Sequence, residues 1–124
     1  MISAPDHDAE FQKLFQAYAE QLPAKIGEID ALWAQAAAGD NVNAMQSLYR
    51  AFHSLAGSAG TFGHSELGRC AKALEKDFEA LLDDVAPQPS GTLEPLAPLL
   101  QRLKRAAAAP EPRLAGPTTQ PNPD

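Results

Sequence analysis

One histidine and two glycines share a face of a predicted helix, and this arrangement is the one best suited to group-transfer chemistry. The helix is predicted over residues 42–61. At about 100° per residue, its apolar stripe centres about 120° from His53, so the imidazole is expected to point into solvent. Gly57 and Gly60 fall within about 40° of His53 on the same face. The stripe consists of Met45, Leu48, Phe52, Leu55 and Ala59.

Gly57 and Gly60 require an explanation, because each glycine inside a helix costs about 1 kcal/mol relative to alanine. Without side chains they leave room beside His53 for a large group or for the backbone of a partner. Small residues also occur where two helices pack closely, and a surface histidine commonly has no role. The residue types alone leave these interpretations open.

Other reactive side chains predict no second site. His7, His64 and Cys70 have no partner at the helical spacing of metal ligands, and Cys70 falls on the apolar stripe of the next predicted helix. Ser54 and Ser58 flank the histidine, but no third group completes a hydrolytic triad. There is no glycine-rich phosphate cradle, so the chain is not expected to use ATP. Neither a metal nor a cofactor is predicted.

Five helical segments must position this face, and no strand is predicted. Pro23 is expected to break or kink the helix between the first two segments, because proline lacks an N–H and clashes with the preceding turn. The amphipathic segments can bury their stripes only against one another, which predicts an all-α, antiparallel four-helix bundle with a short additional N-terminal helix. The segments are residues 8–21, 23–38, 42–61, 65–84 and 95–108.

Length and composition restrict the function classes. The 124 residues suffice for one domain, assigned to residues 1–108, and the proline-rich residues 109–124 read as a disordered tail or linker. A formal net charge of -6 argues against nucleic-acid binding. Neither a secretory signal nor a membrane-spanning run is evident, so we expect a cytoplasmic protein without membrane association. A monomer is expected, since no extra apolar stripe is evident.

The segment around His53 resembles the signature of histidine-containing phosphotransfer (HPt) domains. The similarity is specific: a histidine, a glycine four residues later, a further glycine at the end of the helix and a Leu-Glu pair on the next helix all match in register. It extends over about residues 10–108, with the motif within residues 48–78. The motif reads His53-Ser54-Leu55-Ala56-Gly57-Ser58-Ala59-Gly60-Thr61-Phe62-Gly63, followed by Leu67, Cys70 and Leu74-Glu75.

The resemblance implies a four-helix bundle in which His53 accepts the phosphoryl group and Gly57 opens space beside it. Glu75 matches a family glutamine or glutamate that accepts a hydrogen bond from Nδ1–H of the histidine, which leaves Nε2 as the nucleophile. The alternative for Glu75 is an ordinary solvated helix residue. The family often has a lysine three residues after the histidine, and here that position is Ala56.

Three other basic residues are candidates to balance the phosphoryl charge: Arg50, one turn before His53, and Lys72 and Lys76, on the helix of Glu75. Each is equally well a solvated surface charge. A docking partner is another source of positive charge. The exposed surface around His53, including Tyr49, Ala56 and Leu67, is the expected docking face.

The resemblance implies a phosphorelay carrier without autonomous kinase activity. It would exchange a phosphoryl group with the aspartate of a receiver domain, in a response regulator or a hybrid histidine kinase, and Mg²⁺ is expected only on that partner. The alternative is a helical docking module that is never phosphorylated, which the absence of the usual lysine would suit. A pure docking surface needs neither His53 nor Glu75, which favours the carrier.

Overall fold

The regular structure of the chain is entirely helical in the residues that the computed structural model describes. These are residues 3–39, 41–83 and 91–108, with side chains described from residue 9 onward. The all-α class is confirmed. None of the described helices combines the length and the apolar character needed to cross a membrane. The helices are α1 (Ser3–Ala37), α2 (Val42–Ser58), α3 (Ser65–Asp83) and α4 (Ala97–Ala108), with a short 3₁₀ helix, Glu94–Leu96, leading into α4.

The first helix continues through Pro23 without a break. The prediction of a short, separate N-terminal helix was therefore wrong. Pro23 is exposed, while Leu22 and Ile29 on either side of it are buried in the same core. Burial of such side chains offsets the missing backbone hydrogen bond and the steric clash that proline brings to a helix interior.

The four helices form the predicted bundle. The α2 and α3 helices pack together most extensively, α1 packs on α2, α4 packs on α3, and α4 also contacts α1. Short connections join α1 to α2 and α2 to α3, which makes these neighbours antiparallel. Gly39 has a φ of 97° just after α1, and Gly63 has a φ of 88° just before α3. Glycine adopts this left-handed backbone conformation at little cost, which suits both connections. The predicted tail, residues 109–124, lies outside the described residues.

Three aromatic rings from three helices meet in the core. Phe52 of α2 and Phe78 of α3 are fully buried, with ring centroids 5.4 Å apart. Trp33 of α1 packs against both, at 6.5 Å from Phe52 and 5.7 Å from Phe78. These rings hold α2 and α3 together on the side opposite His53, as the predicted apolar stripes require.

A second aromatic group anchors the end of α2. Tyr18 of α1 stacks on Phe62 at 4.6 Å, and its hydroxyl forms a 2.8 Å hydrogen bond with the Ser58 hydroxyl. Further towards the N-terminus, Phe11 and Leu14 are more than half exposed, so the predicted apolar stripe of this segment is only partly buried. The C-terminal turn of α2, which carries Gly57, is thus held against α1. The helix ends at Ser58 and not at residue 61 as predicted, so Gly60 lies in the turn that follows it.

Candidate functional site

His53 projects from the solvent-facing side of α2. Its side chain is 69% exposed, whereas its neighbour Phe52 and Leu55 on the next turn are buried. The helix begins where Asn41 caps it, since the Asn41 side chain accepts a 3.0 Å hydrogen bond from the Ala44 N–H. The ring of Tyr49, one turn before His53, lies nearly parallel to the imidazole at 6.2 Å between centroids.

Glu75 of α3 holds the imidazole from the bundle side. Its Oε2 lies 2.7 Å from Nδ1 of His53, and its side chain is only 8% exposed. An ionised carboxylate can only accept hydrogen bonds, so Nδ1 must carry the proton that it donates. The lone pair of the neutral ring then lies on Nε2, and His53 has one defined nucleophilic nitrogen.

The hydrogen bond from His53 lowers the pKa of Glu75, and the positive charge of Lys72 adds to this effect, while burial opposes it. Glu75 is therefore ionised at neutral pH. Its second oxygen, Oε1, is buried and has no hydrogen-bond partner among the described residues. The nearest cation is Lys72, with Nζ 3.5 Å from Oε1, which is an ion-pair distance longer than an ordinary hydrogen bond.

A shallow depression of about 430 Å³ opens beside His53 between α2 and α3. A Cβ atom added to Gly57 or Gly60 would meet no atom within 4 Å, so the bundle itself does not require glycine there. A Cβ on Gly68 would lie 3.5 Å from the Gly60 backbone nitrogen, in ordinary contact. The depression is lined by His53, Ala56, Gly57, Gly60, Ser65, Gly68, Arg69, Lys72 and Glu75.

The structure brings only part of the predicted set together. Ala56, Gly57, Gly60 and Lys72 line the depression with His53 and Glu75. Arg50 and Lys76 are exposed but do not line it. Leu67 is fully buried in the core, so its expected place on the exposed docking face was wrong. Sequence reasoning missed Ser65, Gly68 and Arg69. Helical spacing from Glu75 could have found Gly68, which lies about 20° from Glu75 around the axis, and Ser65, about 80° away.

Arg69 belongs to a charged group that links α3 to α4. Its guanidinium donates a 2.7 Å hydrogen bond to Oε1 of Glu66, and Arg102 donates a 3.0 Å bond to Oε2. These bonds lower the pKa of Glu66. One carboxylate thus faces two guanidinium groups, and of these three side chains Arg69 alone lines the depression.

Within the described ranges, no cluster of three or more histidine, cysteine, aspartate or glutamate side chains could hold a metal ion. Cys70 is buried on α3, and its thiol donates a 3.6 Å hydrogen bond to Glu66. Burial and the nearby Glu66 carboxylate raise the pKa of this thiol, which keeps it protonated. His64 is also buried, directly before α3, and its ring lies 5.6 Å from that of Tyr18.

Comparison with known proteins identifies the family of this chain. The model of the Hpt domain family matches residues 13–109, which is well over half of the 124-residue chain. No curated protein and no solved structure gives a significant match. Hpt domains are helical phosphotransfer carriers of two-component signalling. The matched region contains all four helices of the bundle except the first residues of α1, together with His53 and Glu75. The chain belongs to the Hpt domain family.

Proposed function

We propose that this protein is a phosphorelay carrier that receives a phosphoryl group on Nε2 of His53 and passes it to or from an aspartate of a receiver domain. The observation that carries the proposal is the 2.7 Å bond between an exposed His53 and a buried, ionised Glu75 beside an open depression. A histidine without a role needs no such partner.

The chemistry requires only a positioned nucleophile on this chain. Nε2 attacks the phosphorus of an aspartyl phosphate, the P–N bond forms, and the P–O bond breaks as the aspartate leaves with the electron pair. The proton on Nδ1 stays in place, so the phosphorylated ring is cationic and the Glu75 carboxylate lies 2.7 Å from that charge. The reverse sequence returns the phosphoryl group to an aspartate.

The receiver domain supplies the rest of the machinery in this proposal. Phosphoryl transfer depends on in-line positioning and on cations around the phosphoryl oxygens. The partner brings Mg²⁺ and a lysine, and it docks over the exposed α2–α3 face, where Gly57 and Gly60 allow close approach of its backbone. Hpt domains interact with receiver domains and histidine kinases, and here the chain acts without kinase activity of its own.

The test is phosphoryl transfer from a panel of phosphorylated receiver domains and hybrid kinases to the full chain. We expect wild type to gain one acid-labile phosphoryl group by intact mass, His53→Gln to gain none, and the control His7→Gln to behave as wild type. If His53→Gln gained as much label as wild type, His53 would not be the phosphoryl acceptor.

A docking module that is never phosphorylated is the second candidate, and Ala56 in place of the usual lysine is the observation that favours it. Under this alternative, receiver domains bind the wild-type chain, and none of them transfers a phosphoryl group to it. The same panel therefore separates the two functions, provided that binding and labelling are both measured.

A further inference from the structure

A phosphoryl group on His53 would bring roughly two negative charges at neutral pH into a depression whose usual lysine position is Ala56. Two basic side chains line the depression in the described part of the chain, Arg69 and Lys72, and both come from α3. Among the described residues, the cations that line the depression beside the proposed phosphoryl group therefore come from α3 and not from α2.

The two cations differ in how firmly they are held. Arg69 makes a 2.7 Å hydrogen bond to Glu66, whose carboxylate also binds Arg102. Lys72 has a single ion pair among the described residues, the 3.5 Å approach of Nζ to Oε1 of Glu75, and its side chain is 59% exposed. A lysine so loosely held on a flexible stem can change partner at little cost.

Glu75 connects Lys72 to the imidazole of His53. One oxygen of its carboxylate accepts the bond from His53, and the other faces Lys72. A phosphoryl dianion on the same imidazole would attract the ammonium group more strongly than a single carboxylate that already shares its charge with His53.

We propose that Lys72 is the phosphoryl-binding cation of this site, and that it moves from Oε1 of Glu75 to the phosphoryl oxygens when His53 is phosphorylated. The lysine function absent at Ala56 is thereby supplied by α3, the helix facing it. This inference rests on the proposed function. Exposed ion pairs shift an equilibrium by roughly two- to fivefold, and an effect of that size is expected.

The experiment phosphorylates the full chain with the small donor phosphoramidate, so that no receiver domain is involved, and follows the phosphoryl group by ³¹P NMR during a pH titration. In wild type, Lys72 stabilises the dianion. Lys72→Gln should lower the second acid dissociation constant of the phosphoryl group by about two- to fivefold. Lys72→Arg should restore the wild-type dissociation constant. The difference between wild type and Lys72→Gln should become smaller at about 1 M salt.

Lys76→Gln is the matched control, because Lys76 is exposed on the same helix but does not line the depression. The phosphoryl group on Lys76→Gln should titrate at the same pH as the phosphoryl group on wild type. A Lys72→Gln titration that overlays that of wild type, with His53 labelled, would overturn the assignment of Lys72 and leave the proposed function intact. Failure of wild type to label on His53 would overturn both proposals.

Discussion

His53 on α2 and Glu75 on α3 form a 2.7 Å hydrogen bond in which the donor side chain is exposed and the acceptor side chain is buried. The orientation of the His53 imidazole is therefore set by the neighbouring helix. The two helices also share the Phe52–Phe78 contact in the core, so the packing that stabilises the bundle also fixes the distance across which this bond forms.

Replacing Glu75 should slow phosphorylation of His53 without unfolding the chain. A hydrogen bond to a charged group contributes about 1.5–3 kcal/mol, so Glu75→Leu should reduce the rate of labelling by roughly tenfold to a hundredfold. Glu75→Gln keeps an acceptor for Nδ1–H and should stay within about tenfold of wild type. The measurement is the rate of labelling by phosphoramidate, with thermal unfolding as a check on the fold. Equal rates for the leucine and glutamine variants would contradict an orienting role.

The lowered pKa of Glu75 makes stability depend on pH in a defined direction. A carboxyl whose pKa is lower when folded stabilises the protein above its unfolded pKa of about 4.3, and this contribution is lost as pH falls through the folded pKa. The free energy of unfolding, measured with urea, should therefore decrease more for wild type than for Glu75→Gln between about pH 5 and pH 2. Glu66 titrates in both proteins and cancels from the comparison. If the free energy of unfolding depends on pH in the same way for both proteins, the charge on Glu75 does not stabilise the fold.

Gly57 should matter to a docking partner and not to the bundle. Gly57→Ala and the control Gly27→Ala both place a methyl group where nothing lies within 4 Å, and each should stabilise its helix by about 0.4–1 kcal/mol. Of these two glycines, Gly57 lines the depression and Gly27 does not. Transfer from a receiver domain should fall roughly tenfold or more for Gly57→Ala and remain unchanged for Gly27→Ala.

Labelling by phosphoramidate separates docking from chemistry in this pair of variants. The small donor needs no close approach of a partner backbone, so both alanine variants should label as wild type. If receiver-dependent transfer to Gly57→Ala equals that to Gly27→Ala, the glycine does not serve docking.

Pro23 should be a destabilising residue within α1. It is exposed, so its replacement removes no packing, and Pro23→Ala restores a backbone N–H in the middle of a continuous helix. We expect a gain of about 2 kcal/mol, seen as a higher urea midpoint at constant slope. Labelling of His53 should be unaffected, since Pro23 does not line the depression. An unchanged or lower midpoint would mean that proline costs this helix nothing.

The same residue marks the limit of prediction from sequence for the fold. The apolar stripes of α2 and α3 predict their own burial, because each stripe follows one helical period and meets the other. Pro23 is different: its local preference ends a helix, but residues on both sides of it are buried in one core. Tertiary packing decides such a position. The sequence signal for an unbroken helix is that Tyr18, Leu22 and Ile26 keep a spacing of four residues across Pro23.

For the site, the sequence predicts well what one helix determines by itself. The positions of Ala56 and Gly57 relative to His53 follow from the period of α2, whereas Gly60 lies in the turn after that helix. Which of Arg50, Lys72 and Lys76 lies beside His53 depends on where α3 crosses α2. The period of a single helix does not predict that crossing. The depression extends from His53 towards the end of α2, so Arg50, one turn earlier, is left outside it.

Trp33 is the single tryptophan of the chain, and it packs on Phe52 and Phe78. Its fluorescence should therefore report the packing of α1, α2 and α3 together, with no labelling needed. Because Trp33 does not line the depression, its emission should not change when His53 is phosphorylated. The protein thus contains an internal optical probe of folding that is separate from the proposed phosphorylation site. The folding of each variant proposed above can be checked by Trp33 fluorescence in the same sample that is used to measure its labelling.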